Sequence, residues 1–151
     1  MTNAASIDIP ESATAADYPP IPEPNALTEF FWEGVANHKL LILRCGACGK
    51  YIHYPRPICP NCLSMDDLAP EEVSGRGTIY SHTTTVQPFH PYYVDKVPYN
   101  LIIVALEEDE EVRITSNLID YPNDDIRIGM PVQVTFEEVA PGLTLPLFKL
   151  A

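Results

Sequence analysis

Four cysteines in two CxxC pairs are the residues of this chain whose spacing most clearly predicts chemistry. Cys45 and Cys48 form the first pair, Cys59 and Cys62 the second, and the chain contains no other cysteine. Each CxxC can turn two thiolates toward one point, and two such knuckles complete a tetrahedral S₄ shell. Gly49 follows the first pair, where the turn needs a permissive backbone. The pattern therefore predicts a closed zinc site.

Two other uses of the same cysteines stay open at this point. Iron accepts the same S₄ geometry and would make the chain a redox protein with a visible absorption band. Two disulfides would consume the same residues. A closed Cys₄ zinc site has no free coordination position, so it stabilises structure and does not activate water.

No catalytic residue is predicted in the chain itself. Metal binding would consume all four thiols, so no thiol nucleophile would remain. The four histidines, His38, His53, His82 and His90, stand outside any recognisable nucleophile–base motif. Catalysis by an assembly that contains this chain would then come from its partner.

Length, composition and charge narrow the function classes. The 151 residues suit about one domain, and 46% hydrophobic residues can form a core. A net charge of −12 opposes nucleic-acid binding, which needs a basic face. The sequence has no apolar run of the roughly 18 residues that a membrane helix requires, so no membrane partner is expected. Residues 1–9 lack the basic and apolar regions of a secretory signal, and free thiolates suit a reducing compartment, which predicts a cytoplasmic protein.

Composition divides the chain into four segments. Residues 1–23 are rich in Pro, Ala, Ser and Thr and predict a flexible tail. Residues 24–39 predict an N-terminal helix, with Asn25 as its N-cap. Residues 40–68 predict the zinc ribbon. Residues 69–151 contain five apolar or alternating strands separated by turns, which favours a small barrel, most commonly an OB-fold.

Two groups of aromatic residues predict contact surfaces. The helix carries Phe30, Phe31 and Trp32, which either pack on their own domain or form a subunit interface, where Trp and Phe are favoured. A loop between two barrel strands carries the second group, and Tyr99 follows close behind it. This loop is either a lid on the barrel or a contact surface for a partner or a ligand. Its predicted contact residues are Phe89, His90, Tyr92 and Tyr93.

Charged residues are distributed unevenly. Residues 34–65 contain four Lys or Arg side chains and no acid. These cations either offset the negative zinc thiolates or contact a phosphate group or an acidic partner. The second interpretation assigns phosphate contacts to Lys50 and Arg56, and also to Arg76 outside this range. The acidic run at residues 107–111 predicts a solvated hairpin tip.

An ordered set of motifs between residues 27 and 150 resembles one protein family. The chain resembles the zinc-ribbon/OB-fold proteins that accompany thiolases. It departs from the family at His38-Lys39-Leu40, where Gly-x-Leu is usual, and at Leu68, where an aromatic residue is common. The motifs that carry the resemblance are Phe30-Phe31-Trp32-Glu33-Gly34, Cys45-x-x-Cys48-Gly49, Pro55-Arg56-x-x-Cys59-Pro60-x-Cys62-x-Ser64, Ser74-Gly75-Arg76-Gly77-Thr78-Ile79-Tyr80-Ser81, Pro98-Tyr99 and Ile128-Gly129-Met130-Pro131-Val132.

The resemblance implies a mostly β protein: an N-terminal helix, a rubredoxin-like zinc ribbon and a C-terminal five-stranded OB-fold barrel. It also implies a non-catalytic subunit of a thiolase, aldolase or acyltransferase that acts on acyl-CoA, with the subunit helping to assemble the complex and to cap or bind CoA. A module that binds single-stranded nucleic acid is the alternative, because ribbons and OB-folds both occur in that role.

Overall fold

The computed structural model of the protein describes residues 10–151. The first nine residues of the predicted tail, including the segment expected to lack a secretory signal, lie outside the described residues. Across 10–151 the chain is mostly β, with one α-helix, which confirms the predicted fold class. None of the helices in this range is both long and apolar enough to cross a membrane.

One helix precedes two antiparallel sheets. The helix α1 spans Glu29–Ala36. The ribbon sheet has the order β2-β1-β3, and the barrel sheet has the order β6-β5-β4-β7-β8. The strands are β1 Leu41–Cys45, β2 Tyr51–Ile52, β3 Leu68–Glu72, β4 Arg76–Thr85, β5 Tyr99–Leu106, β6 Arg113–Ser116, β7 Pro131–Ala140 and β8 Leu143–Leu150.

Helix α1 is shorter than the predicted segment 24–39. Its C-terminal end accounts for the departure at His38-Lys39-Leu40 from the usual Gly-x-Leu. The N-cap of α1 is Thr28 and not the predicted Asn25. The Asn25 side chain instead accepts from the Leu27 N–H at 2.9 Å in the turn that leads into α1. At the other end, His38 takes a left-handed φ of 58°. The N–H groups of His38 and Lys39 donate to the carbonyls of Val35 and Gly34, which forms a Schellman motif. His38 thus occupies the position that the family usually gives to glycine.

The third ribbon strand was not predicted. Strand β3 pairs along the whole of β1, from Leu41 opposite Glu72 to Cys45 opposite Leu68. Pro70 and two glutamates give this segment a poor strand composition, so propensity alone did not indicate it. The pairing shows that the ribbon sheet extends to Glu72 and leads almost directly into β4.

The barrel sheet nearly closes on itself. Its first and last strands meet beyond the end of β6, where Leu118 and Phe148 form a parallel bridge. The Phe148 N–H donates to the Asn117 carbonyl at 3.0 Å, and the Ile119 N–H donates to the Phe148 carbonyl at 2.8 Å. At the start of β4, a Cβ atom added to Gly77 would lie 2.3 Å from the Ala105 carbonyl oxygen. Glycine is therefore required there by the close approach of two strands.

Strand β1 and helix α1 each face two hydrophobic cores. Ile42 belongs to the barrel core, whereas its neighbour Leu43 belongs to the small core around Cys45 and Cys59, because successive strand residues point to opposite faces. Phe31 packs on the barrel core, and its neighbour Phe30 packs on the ribbon core. Since the same two elements serve both cores, the ribbon and the barrel are joined by packing as well as by the chain.

The acidic segment 107–111 forms the predicted hairpin tip between β5 and β6, with four of its five acids exposed, but it also contacts the ribbon. Asp109 lies 3.0 Å from the Lys50 ammonium in the ribbon, and both side chains are mostly buried, at 19% and 24% exposure. Glu111 also accepts from Lys50, and the Glu108 carboxylate accepts from the Ser74 N–H at 2.6 Å. The acids of the β5–β6 connection therefore attach the barrel to the ribbon.

Candidate metal centre and adjoining pocket

The four cysteine sulfurs converge as the spacing predicted. All four Sγ atoms lie within 4.8 Å of one another. The Sγ atoms of Cys45 and Cys62 are 3.6 Å apart, and those of Cys48 and Cys59 are 3.7 Å apart. Four sulfurs at the usual Zn–S distance in a tetrahedron would be separated by about 3.8 Å. The cluster thus fits a tetrahedral metal ion, and it holds no disulfide among these thiols.

Both knuckles use the same backbone arrangement. In the first, the Cys45 carbonyl accepts from the Gly49 N–H at 2.7 Å, and in the second the Cys59 carbonyl accepts from the Leu63 N–H at 3.0 Å. Gly49 and Leu63 are therefore equivalent, and both have a left-handed φ, of 77° and 61°. Leucine is disfavoured in this conformation, and the Leu63 side chain is 73% exposed. The second knuckle carries a surface leucine where the first has glycine.

Electrostatics around the thiols favour a bound cation. A hydrogen bond from the Asn61 side chain, followed by one from the Lys50 backbone, lowers the pKa of Cys48 to about 6. At Cys62 the Ser64 N–H lowers the pKa, but the adjacent Cys48 sulfur and burial outweigh it and raise the pKa to about 12. Backbone N–H groups of Cys62 and Asn61 lower the pKa of Cys59 as well, so the thiolate is favoured at Cys48 and Cys59, whereas ionisation of Cys62 requires nearby positive charge.

The cations predicted to contact phosphate fall into two groups. Lys50 is bound to Asp109 and Glu111, as described above, and Arg76 pairs with Glu107 at 2.6 Å. Arg56 is exposed and forms no ion pair within residues 10–151. Of the three predicted residues, Arg56 has the guanidinium that is available to an external anion.

The two predicted aromatic groups lie in different environments. On α1, Trp32 packs edge-on against Phe31, with centroids 5.3 Å apart, and all three aromatic residues are partly buried inside the chain. This agrees with the expectation that the helix packs on its own domain. The interface role of Phe30, Phe31 and Trp32 stays a prediction.

The loop between β4 and β5 is more open. Phe89 is 81% exposed. Tyr93 stacks on Tyr99 with centroids 4.9 Å apart, and Tyr92 packs edge-on against Tyr93 at 5.1 Å. The His90 ring accepts from the Tyr92 N–H and lines a shallow surface pocket with part of the N-terminal segment. The loop is thus an ordered aromatic surface that exposes Phe89.

An apolar pocket of about 270 Å³ lies where α1, the ribbon and the barrel meet, and the sequence did not indicate it. Its walls include Phe31 and Trp32 from α1, His53 and Tyr54 from the ribbon, and residues of β6 and β8. The His53 imidazole packs against the rings of Tyr54 and Phe31, at centroid distances of 4.3 Å and 6.0 Å. Burial lowers the pKa of His53 to about 4, so this side chain is neutral at pH 7.

Comparison with known proteins identifies the family. A family model described as the ChsH2 rubredoxin-like zinc ribbon domain matches residues 32–66, and one described as the ChsH2 C-terminal OB-fold domain matches residues 70–137. The chain belongs to the ChsH2 family. The boundary between the two ChsH2 domains falls within β3, the strand that continues the ribbon sheet toward the barrel.

Curated relatives of this ChsH2-family chain include subunits and scaffold proteins. A probable enoyl-CoA hydratase alpha subunit of Thermomonospora curvata is 38% identical over 87% of the chain, which spans 40% of that relative. A DUF35 domain-containing scaffold protein of Methanocaldococcus jannaschii is 30% identical, over 72% of this chain and 75% of the relative. A 3-oxo-4,17-pregnadiene-20-carboxyl-CoA hydratase alpha subunit of Mycobacterium tuberculosis is 36% identical over 72% of this chain and 33% of its own length.

Two solved structures share the fold. A chain of the structure described as Ltp2-ChsH2(DUF35) aldolase has 37% sequence identity and a TM-score of 0.78, over 86% of this chain and 98% of that one. A DUF35-family protein of unknown function from Sulfolobus solfataricus has a TM-score of 0.55 at 13% identity. The second likeness concerns the fold alone.

Proposed function

We propose that this chain is a non-catalytic, zinc-binding accessory subunit of a thiolase-like enzyme that acts on acyl-CoA. The catalytic partner is a thiolase, an aldolase or an acyltransferase. The accessory chain helps to assemble the complex and caps or contacts the bound CoA. The observation that carries this proposal is the likeness to the Ltp2-ChsH2(DUF35) aldolase, because it covers nearly all of that chain at 37% identity.

The arrangement of reactive side chains supports a non-catalytic role. All four thiols face one another in the metal cluster, so a bound metal leaves no sulfur for substrate. His53 lies in the apolar pocket, packed against the Tyr54 and Phe31 rings. His38 lies at the C-terminal end of α1, and its ring stacks on that of Phe136 with centroids 5.6 Å apart. None of these groups forms a nucleophile–base pair.

Zinc is the proposed ion because the four thiols converge in a tetrahedral arrangement and the segment matches a family model described as a zinc ribbon. Elemental analysis of the purified protein should give about one zinc per chain and no iron band in the visible spectrum. Cys48→Ser should lose the metal and unfold the ribbon, since structural zinc contributes roughly 10–16 kcal/mol in small modules. The analogous change Ser64→Ala, beside the cluster, is the control and should retain zinc. Iron in place of zinc would refute this part of the proposal.

The proposed partner surface combines the helix residues Phe30, Phe31 and Trp32 with the aromatic loop and Tyr99. The loop has the strongest support as a partner surface, because its apolar residues Phe89 and Val86 are 81% and 75% exposed. Aromatic anchors also contribute a disproportionate share of binding energy at interfaces. The other loop residues in this proposal are His90, Tyr92 and Tyr93.

Arg56 is the proposed phosphate contact with the strongest support, whereas Lys50 and Arg76 already have acidic partners. Arg56→Glu should raise the KM for acyl-CoA about tenfold without dissociating the complex, because reversing one charge at a phosphate removes and opposes a charge-assisted contact. Arg113→Glu reverses an exposed charge on β6 that is assigned no phosphate contact, so it is the matched control and should change KM less. Equal effects of both substitutions would mean that the response is a general effect of net charge.

The proposal is tested by isolating the tagged chain from its native host and identifying what co-purifies. A thiolase-like protein in a fixed ratio is expected. The ion pairs of Lys39, Lys50 and Arg76 with acids of the same chain do not favour the single-stranded nucleic-acid alternative, which requires clustered free cations. Co-purification of nucleic acid, with no protein partner, would overturn the proposal in favour of that alternative.

A further inference from the structure

We propose that the pocket between α1, the ribbon and the β6–β8 edge of the barrel binds a small uncharged molecule with an apolar, ring-sized body and one hydrogen-bonding group. This inference does not depend on the proposed accessory role. It concerns a site formed within one chain, and it can be tested without any partner.

The size and walls of the pocket define the body of the ligand. The volume of about 270 Å³ is somewhat less than twice the roughly 150 Å³ of a dry apolar cavity that accepts benzene. Phe31 and Trp32 meet edge-to-face, and this contact fixes one wall. Leu145 and Leu147 of β8 contribute aliphatic surface opposite the ribbon residues. On that scale a ring with about four or five further heavy atoms would fill the space, and a smaller ring would still cover apolar surface that water otherwise meets.

The absence of charge in the lining excludes ionic ligands. All lining residues are apolar, aromatic or neutral polar, with no Lys, Arg, Asp or Glu among them. A carboxylate, a phosphate or an ammonium group would lose its hydration here without gaining an opposite charge. The ligand is therefore uncharged, which also distinguishes this site from any contact with CoA phosphates.

Several polar groups in the lining form no side-chain hydrogen bond within residues 10–151, and they are the Trp32 indole, the Tyr54 hydroxyl, the Thr115 hydroxyl and the His53 imidazole. Ser116 Oγ donates to the Pro146 carbonyl at 2.7 Å, and the Asn117 amide donates to the Asn100 carbonyl, so both are already engaged. The imidazole of His53 packs against rings, and desolvation is the cause that shifts its pKa, with no hydrogen bond contributing. A neutral imidazole offers one donor and one acceptor, which suits a hydroxyl, carbonyl or amide on the ligand.

The shape favours a free small molecule over a protein segment. The pocket is formed by four separate stretches of chain that converge on one concavity, and ligand sites are typically concave and mostly apolar with few polar groups. Of the proposed partner surface, Phe31 and Trp32 line the pocket, whereas the residues of the aromatic loop do not. Insertion of a partner side chain is the competing outcome, and the test includes it.

The test uses the full zinc-loaded chain, labelled with ¹⁵N, and follows the indole N–H signal of Trp32. The chain has a single tryptophan, so this signal reports on the pocket without ambiguity. We expect p-cresol to shift it saturably, with a dissociation constant on the order of 1 mM for a ligand of this size. Toluene should bind several-fold more weakly. The charged analogues 4-methylbenzoate and benzylammonium should bind at least about tenfold more weakly. Equal binding of charged and uncharged probes, or no saturable shift, would overturn the proposal.

Two variants locate the binding. Thr115→Phe places a ring in the pocket from β6 and should abolish the p-cresol shift, whereas Thr83→Phe, at an exposed β4 position outside the lining, should leave it unchanged. His53→Phe keeps a ring but removes its hydrogen-bonding group, so p-cresol should weaken about fivefold to the level of toluene while toluene is unaffected. Because toluene and p-cresol are compared within one variant, this result stands even if Thr115→Phe fails to fold.

Loss of complex formation by a folded Thr115→Phe variant would show that a partner side chain fills the pocket, and would refute the small-molecule site.

Discussion

The ammonium of Lys50, the residue directly after the first zinc knuckle, lies 3.0 Å from the carboxylate of Asp109 in the β5–β6 connection of the barrel. Hydrogen bonds with Glu111 and Asp109 raise the pKa of Lys50 despite its partial burial. This contact joins residues 59 positions apart in sequence. The acidic run thus neutralises one cation of the ribbon where the two domains meet, whereas Lys39 and Arg44 pair with Glu72 and Glu71 of β3.

We therefore expect Lys50→Met to weaken the attachment of the ribbon to the barrel. The change leaves a mostly buried carboxylate without its partner, which should reduce the free energy of unfolding by about 1–3 kcal/mol. Lys39→Met is the matched control, because Lys39 pairs with Glu72 at a comparable distance but with both side chains 54% exposed. It should cost less than about 1 kcal/mol. Equal losses in urea denaturation would show that burial of the Lys50 pair has no energetic consequence.

The equivalence of Gly49 and Leu63 makes a second prediction. Leu63→Gly relieves a left-handed leucine whose side chain is largely in water, so it should stabilise the ribbon by about 0.5–1 kcal/mol and slow zinc loss to a chelator. Gly49→Leu should have the opposite effect. A destabilised Leu63→Gly protein would mean instead that the Leu63 side chain contributes packing that outweighs its backbone strain.

Leu63 also bears on assembly. A leucine in a disfavoured conformation at the surface does not serve the stability of the isolated chain. If it serves the partner interface, Leu63→Gly should weaken complex formation while it stabilises the ribbon. Isothermal titration calorimetry measures the association constant, and zinc loss to a chelator measures the stability of the ribbon.

His53 predicts a pH dependence of stability. Burial lowers its pKa to about 4 in the folded protein, whereas an unfolded histidine titrates near 6.5. The neutral form is thus favoured by folding, and the associated stability is complete above about pH 6.5 and is lost as the pH falls toward 4. The loss is at most about 3 kcal/mol, because each pKa unit corresponds to about 1.4 kcal/mol and His53 is only partly buried.

The histidine contribution is isolated by comparison with His53→Gln. Zinc release in acid affects both proteins, so the difference between their unfolding free energies removes it. That difference should change between pH 6.5 and 4 and should be constant above this range. A constant difference throughout would contradict the assigned environment of His53.

The aromatic loop should carry much of the assembly energy. Changing Tyr92 and Tyr93 together to Ala removes two anchors and should weaken association with the catalytic subunit by about 2–4 kcal/mol. Zinc content and the circular dichroism spectrum should not change. Tyr80→Ala is the control, because Tyr80 is 47% exposed on β4 outside the loop. A response to Tyr80→Ala alone would place the interface on the outer face of the barrel.

Local sequence signals predicted most of the fold and the metal cluster. The CxxC spacing acts within a few residues, and strand β5 follows a nearly continuous apolar run. Strand β3 escaped prediction because pairing with β1 outweighs the poor propensity of Pro70. The Lys50–Asp109 contact and the pocket around His53 depend on how distant segments pack, and neither leaves a periodic pattern in sequence. The local sequence marks the pocket with one histidine, His53, and composition alone does not distinguish such a histidine from a surface residue.

The most direct measurement of the accessory role is turnover in a reconstitution. The zinc-loaded chain, the co-purifying catalytic subunit and the two combined are assayed separately with the subunit's acyl-CoA substrate. We predict no turnover by the chain alone, little by the catalytic subunit alone, and full activity when the two form a complex of fixed stoichiometry. Turnover by the isolated chain, or full activity of the catalytic subunit without it, would contradict the role proposed here.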